Sequence, residues 1–210
     1  MISRTIQIWF TALRKPSLQT YEQLYQSENA NLGTALLWSI WVSLLSVILN
    51  ITGKALLPYH PLNQVNMSPS NGGLSTEQVS RLMASMQWLA NPWVWLVGGP
   101  ISFLLMISAT HMVAKTVGGE GELGRYGYVV AAINLPIGLF TIILTWVPIV
   151  GQSLGNLLLF GSYILLVIAT KAAYKLSTGE AIIAVLAPFA ISVIFFGGIT
   201  LFNIMPVVMQ

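Results

Sequence analysis

Three sets of residues in this chain have types and spacings that bear on chemistry. The first is Gly151-Gln152-Ser153-Leu154-Gly155, which matches a nucleophile elbow letter for letter. A serine of that kind stands on a strained strand-to-helix turn, with a general base within hydrogen-bond reach. The sequence predicts no sheet, and its two histidines are His60 and His111. His111 is expected at the opposite membrane face from Ser153, on the order of 25–30 Å away if both lie near span ends. His60 shares the side of Ser153 but stands in a long connecting segment. The two glycines have a simpler role as small residues that let helices approach. Two histidines without any cysteine make a poor metal site, and no HExxH, EF-hand or phosphate-loop pattern occurs. No catalytic residue, metal or cofactor is assigned.

The second set is polar but sits inside apolar runs. Ser39, Ser43, Ser46 and Asn50 follow one another at helical steps, and Asn134, Gly138, Thr141 and Thr145 repeat the spacing around Pro136. Two such stripes could line a path for a solute. They could equally pack helix on helix, since hydroxyl and small residues permit close approach and cross-helix hydrogen bonds. Packing carries more weight, because solute and proton pathways use intramembrane charged groups and these runs contain none.

The third set is the glycine-rich stretch from Val117 to Tyr128, which includes Gly118, Gly119, Gly121, Arg125, Tyr126 and Tyr128. It reads either as a backbone surface for a protein or lipid headgroup, anchored by Arg125 and the tyrosines, or as a tight re-entry turn with interfacial tyrosines. Lys171 and Lys175 are expected to extend the same face.

What must position these groups is a membrane bundle. Hydrophobic residues make up 55 % of the 210 residues and charged ones 7 %, with a mean hydropathy of +0.76. A soluble domain carries about 25 % charged residues. Five runs long enough to cross a bilayer core of about 30 Å are placed at 33–52, 93–114, 128–150, 151–170 and 181–205. The fold class is therefore an all-α, multi-pass transmembrane bundle of five helices. The third and fourth runs meet at Pro148 and Gly151 and are expected to form a tight hairpin. Ser177-Thr178-Gly179-Glu180 fits a capping box that opens the fifth helix.

Charge sets the orientation, because basic residues near span ends stay on the cytoplasmic side. Arg4, Arg14, Lys15, Lys115, Arg125, Lys171 and Lys175 share one side, against Lys54 and Arg81 on the other. That count predicts N-in, C-out. The basic residues are dispersed, which argues against nucleic acid as a partner. Residues 1–32 form an N-terminal segment expected to remain on the mature protein. Ile2, Ile6, Trp9 and Leu13 give it an amphipathic helix on the lipid surface, with Arg14 and Lys15 at the headgroups. Residues 33–205 form the membrane domain, with an exterior loop at 53–92 whose Ser75 and Gln78 open an interfacial helix at about 76–90.

Several of these residues also carry a family resemblance. Gly118-Gly119-Glu120-Gly121, Tyr126-Gly127-Tyr128 leading into Asn134-Leu135-Pro136, and Tyr174-Lys175-Leu176-Ser177 through Ala181 resemble the Yip domain of the Ypt/Rab-interacting protein family. Lys15-Pro16 through Tyr25 is similar to its prokaryotic members. The resemblance implies five spans, an N-in topology, and membrane organisation or trafficking through protein partners without catalysis. This sequence lacks the Asp-Leu-Tyr-Gly-Pro type element and the long acidic N-terminal region of eukaryotic members, so GTPase binding is not carried over. The function expected is that of an adaptor or scaffold in the plasma (inner) or an internal membrane. Its partners would be the bilayer, a membrane or cytoplasmic protein, and further copies of itself. The alternative is a small-solute transporter or channel component using the two polar stripes.

Overall fold

A computed structural model of the chain describes residues 2–56, 91–147 and 150–190. Regular structure among them is helical throughout: α1 (Ile2–Arg14), α2 (Leu18–Tyr25), α3 (Leu32–Leu56), α4 (Pro92–Thr116), α5 (Leu123–Leu144), α6 (Val150–Tyr174) and α7 (Thr178–Ala190). Among the described residues, α3, α4, α5 and α6 are long and apolar enough to cross a membrane. At 1.5 Å per residue, 22 to 25 residues reach roughly 33–37 Å, slightly more than the hydrocarbon core. The remainder of the expected fifth span, the interfacial helix at about 76–90, Lys54's side chain, Arg81 and His60 lie outside the described residues.

Local chemistry fixes the helix ends. Pro16 stops α1, and the Ser17 hydroxyl then accepts from Thr20 N at 3.1 Å to start α2. Asn31 Oδ1 accepts from Thr34 N at 2.8 Å at the head of α3, and Asn91 Oδ1 accepts from Trp93 N at 3.0 Å ahead of Pro92 in α4. At the start of α7 the expected capping box is present: Ser177 N donates to Glu180 Oε2 at 2.8 Å and Glu180 N donates to Ser177 Oγ at 3.4 Å.

The central element is α5. It packs against α1, α2, α3, α4 and α6, and Val129 through Ile133 are fully buried. Its neighbour α6 runs antiparallel to it. Gly155 faces Thr141 and Gly151 faces the Leu144 carbonyl near the turn, while Tyr126 meets Thr170 at the far end. The expected hairpin is thus two separate helices, drawn together by small residues. On the other flank Gly99 of α4 abuts the Ser43 side chain of α3 so closely that a Cβ would overlap it.

One boundary differs from expectation and changes how the glycine-rich stretch is read. The third span starts at Leu123 rather than Tyr128, so Arg125, Tyr126 and Tyr128 belong to its first turns. The non-helical segment is only 117–122, with Val117 as the C-cap of α4. Gly124 and Gly127 are not loop residues but contact points of α5, against Leu32 and against Ile107 and Ala35. Sequence glycines suggested a turn because helix propensity disfavours them, but close packing overrides that preference.

Candidate docking face

The end of the bundle that carries segment 118–122 also carries the start of α3, the end of α4, the start of α5, the end of α6 and the start of α7. Helix α4 ends in a Schellman motif: Gly119 N donates to Ala114 O at 2.8 Å and Gly118 N donates to Lys115 O at 3.1 Å. Gly118 occupies the left-handed position of that motif, at φ +94°. Glu120 N then donates to the Tyr174 carbonyl at 3.2 Å, which ties the segment to the last turn of α6. Lys175, immediately after α6, has φ +57°, a conformation that turns the chain sharply toward α7.

Tyr174 underlies the whole segment. A Cβ at Gly119 would lie 3.0 Å from its ring, and one at Gly121 would lie 2.7 Å away. Its hydroxyl shares a hydrogen bond of 2.6 Å with His111 Nδ1, and its ring meets Tyr126 edge-on at 5.1 Å between centroids. The Tyr126 hydroxyl is 3.1 Å from Thr170 Oγ1. His111 thus meets a phenol. A second aromatic run joins Trp9 to Trp38 at 5.9 Å and Trp38 to Tyr128 at 4.9 Å, linking α1, α3 and α5. Each such ring pair contributes on the order of 0.5–1.5 kcal/mol beyond its buried area.

From the other side the segment is held by α2. Tyr25 Oη accepts from Glu122 N at 2.8 Å, and the Arg125 guanidinium stands 5.8 Å over the Tyr25 ring. Helix α2 is itself locked, since the buried Tyr21 hydroxyl donates to Ala12 O at 3.1 Å and burial pushes that phenol up to about 12.

The solvent side is ionic. Lys175 Nζ pairs with Glu120 Oε2 at 2.9 Å and Arg125 Nε with Glu122 Oε2 at 3.2 Å, all four side chains being substantially exposed. Solvent screening leaves such pairs little net stability. The hydrogen bond and charge of Lys175 hold the Glu120 carboxyl below its usual range, and Glu120 in turn raises Lys175. Lys171 Nζ donates to Thr178 Oγ1 at 2.9 Å.

The expected anchors therefore separate into two layers. Gly118, Arg125 and Lys175 are exposed and Lys171 is half-buried, whereas Gly119, Gly121, Tyr126 (2 % exposed) and Tyr128 (1 %) are buried beneath them. The tyrosines hold the helices together and offer no surface to an outside partner. Sequence reasoning gave no site role to Tyr25 and Tyr174, the two rings that position the segment, although both stand in stretches that carry the family resemblance. The spacing of Gly119 and Gly121 was the one signal of a large neighbour.

The remaining candidates fall elsewhere. Ser39 and Ser43 are buried between α3 and its neighbours. Ser46 Oγ donates to Val42 O and Asn50 Nδ2 to Ser46 O, while Thr141 and Thr145 donate to Ile137 O and Ile142 O. Asn134 Nδ2 reaches Met106 Sδ at 4.0 Å, and Pro136 is buried within α5. The stripes thus largely satisfy their polar groups inside their own helices. Ser153 is exposed in the first turn of α6, about 30 Å along that helix from Tyr174, where His111 is engaged. Ser153 and His111 do not form a nucleophile and base. Among the described residues no cluster of His, Cys, Asp or Glu could hold a metal.

The Yip1 domain family matches the chain over residues 10–199. The chain belongs to that family. It is accordingly an integral, multi-pass membrane protein, with Yip1-domain helices α3 to α6 long enough to span and in contact with lipid. The match begins within α1 and so takes in α2, which holds Glu122 through Tyr25. Neither a curated protein nor a solved structure matches the chain.

Proposed function

We propose that this Yip1-domain protein is a non-enzymatic adaptor or scaffold in membrane organisation or trafficking, and that the face bearing segment 118–122 is its cytoplasmic docking surface. The observation that carries the reading is a short segment held rigidly from beneath by Tyr174 and Tyr25, with Glu120, Glu122, Arg125 and Lys175 displayed on its solvent side. Preorganised charges of both signs at fixed positions confer partner selectivity without an ordering cost at binding. Lys115, Arg125, Lys171 and Lys175 lie at this one end, which supports an N-in, C-out orientation with α7 opening a fifth crossing. In this reading residues 1–32 are a cytoplasmic segment clamped on the membrane domain 33–205, and the occupant is a membrane or cytoplasmic protein, or a second copy of the chain. The largely satisfied stripes of α3 and α5 support helix packing over a solute path.

Photocrosslinking from a probe at the exposed Lys115 in native membranes tests this. A discrete protein adduct that disappears in Arg125→Glu is the expected result. Recovery of lipid adducts alone, or of adducts indifferent to Arg125→Glu, would overturn the docking role.

A further inference from the structure

Helix α1 does not seal against α5. An apolar groove of about 290 Å³ separates them, walled by Trp9, Phe10 and Leu13 on one side and Pro136, Leu139 and Phe140 on the other. Phe10 and Phe140 are 62 % and 57 % exposed, so the groove opens on the outer surface of the bundle and away from the packed core. One wall belongs to a helix that crosses the membrane. The other belongs to an amphipathic helix, with Arg14 at its end and the Arg14 guanidinium 5.7 Å over the Phe10 ring.

We propose that this groove holds an acyl chain of an anionic glycerophospholipid, whose headgroup is met by Arg14. The walls carry apolar side chains and can recognise only hydrocarbon. A groove of this size takes a segment of a single hydrocarbon chain more readily than a protein helix, which is about 10–12 Å across with its side chains. The sign of the headgroup follows from charge: Arg4, Arg14 and Lys15 are the charged residues before Glu22, so α1 presents positive charge alone. A chain seated here completes the contact between α1 and α5, so the N-terminal segment is held to the domain partly through lipid.

The test uses the full chain in proteoliposomes containing phosphatidylglycerol or phosphatidylcholine with a photoactivatable acyl chain, followed by peptide mapping. The peptide containing Pro136 to Phe140 should be labelled by phosphatidylglycerol about fivefold more than by phosphatidylcholine, the factor expected for one basic residue near the surface. Leu139→Trp, which fills the groove, should remove that labelling while leaving labelling of the outer face of α6 at Leu157 and Phe160 unchanged. Arg14→Glu, an exposed change that leaves the walls intact, should abolish the preference between headgroups. Equal labelling of the groove and of the α6 face would overturn the proposal, as would insensitivity to Leu139→Trp or a protein–protein adduct in place of lipid.

Discussion

A methyl group on Gly121 would stand 2.7 Å from Cδ1 of Tyr174 and 2.6 Å from the Ala173 carbonyl oxygen. The carbonyl belongs to the last turn of α6 and has no freedom to withdraw. Gly121→Ala should therefore destabilise the protein by about 1–3 kcal/mol, the usual cost of overpacking. Gly179→Ala, where nothing lies within 4 Å, should be neutral or slightly stabilising. Thermal unfolding in detergent compares the two.

Tyr174 acts through both its ring and its hydroxyl. Tyr174→Phe keeps the platform under Gly119 and Gly121 but removes the bond to His111, and should cost about 1 kcal/mol. Tyr174→Ala removes the platform as well and should cost about 3–5 kcal/mol. Similar losses in both variants would show that the ring contributes nothing to holding the segment.

The crossing of α3 and α4 gives a coupled pair. Gly99→Ala places a methyl onto the Ser43 side chain and should be destabilising, whereas in a Ser43→Ala background the clashing hydroxyl is gone. The double variant should recover part of the loss, with an interaction energy of about 0.5–3 kcal/mol. Strict additivity would contradict the close contact.

Two carboxylates held by local bonds add a small acid dependence to stability. The backbone and side-chain bonds of Ser177 hold the Glu180 carboxyl below its ordinary 4.5, and Lys175 does the same for Glu120. A depressed folded pKa means that the stabilisation is complete above the unfolded value of about 4.5 and is lost as pH falls through the folded value. Lys175 is raised above 10.5, so its contribution is complete below that value and lost as pH rises through the folded one. Unfolding temperature against pH should show both edges. Glu180→Gln should remove part of the acid dependence and leave the alkaline edge intact.

Much of this was legible in the sequence, because membrane insertion depends on properties that a single chain displays openly. The first four apolar runs and the Ser177–Glu180 cap correspond to observed elements. What could not be read was which residues meet across helices. Tyr126 and Tyr128 carry the interfacial signature of tyrosine, yet starting the helix at Leu123 turns both rings into the core. Tyr25 and Tyr174 lie 97 and 53 positions from Glu122 and Gly121. Only the folded bundle brings them under the segment.

The most direct test of the docking account exchanges the displayed charges while keeping their pairs. In the variant Glu120→Lys, Lys175→Glu, Glu122→Arg, Arg125→Glu, net charge and both ion pairs are preserved and the platform beneath is untouched. Crosslinking from Lys115 is then compared with the unaltered protein at equal stability and membrane abundance. Loss of the partner adduct is the predicted result. An unchanged adduct would contradict the claim that this charged face selects the partner.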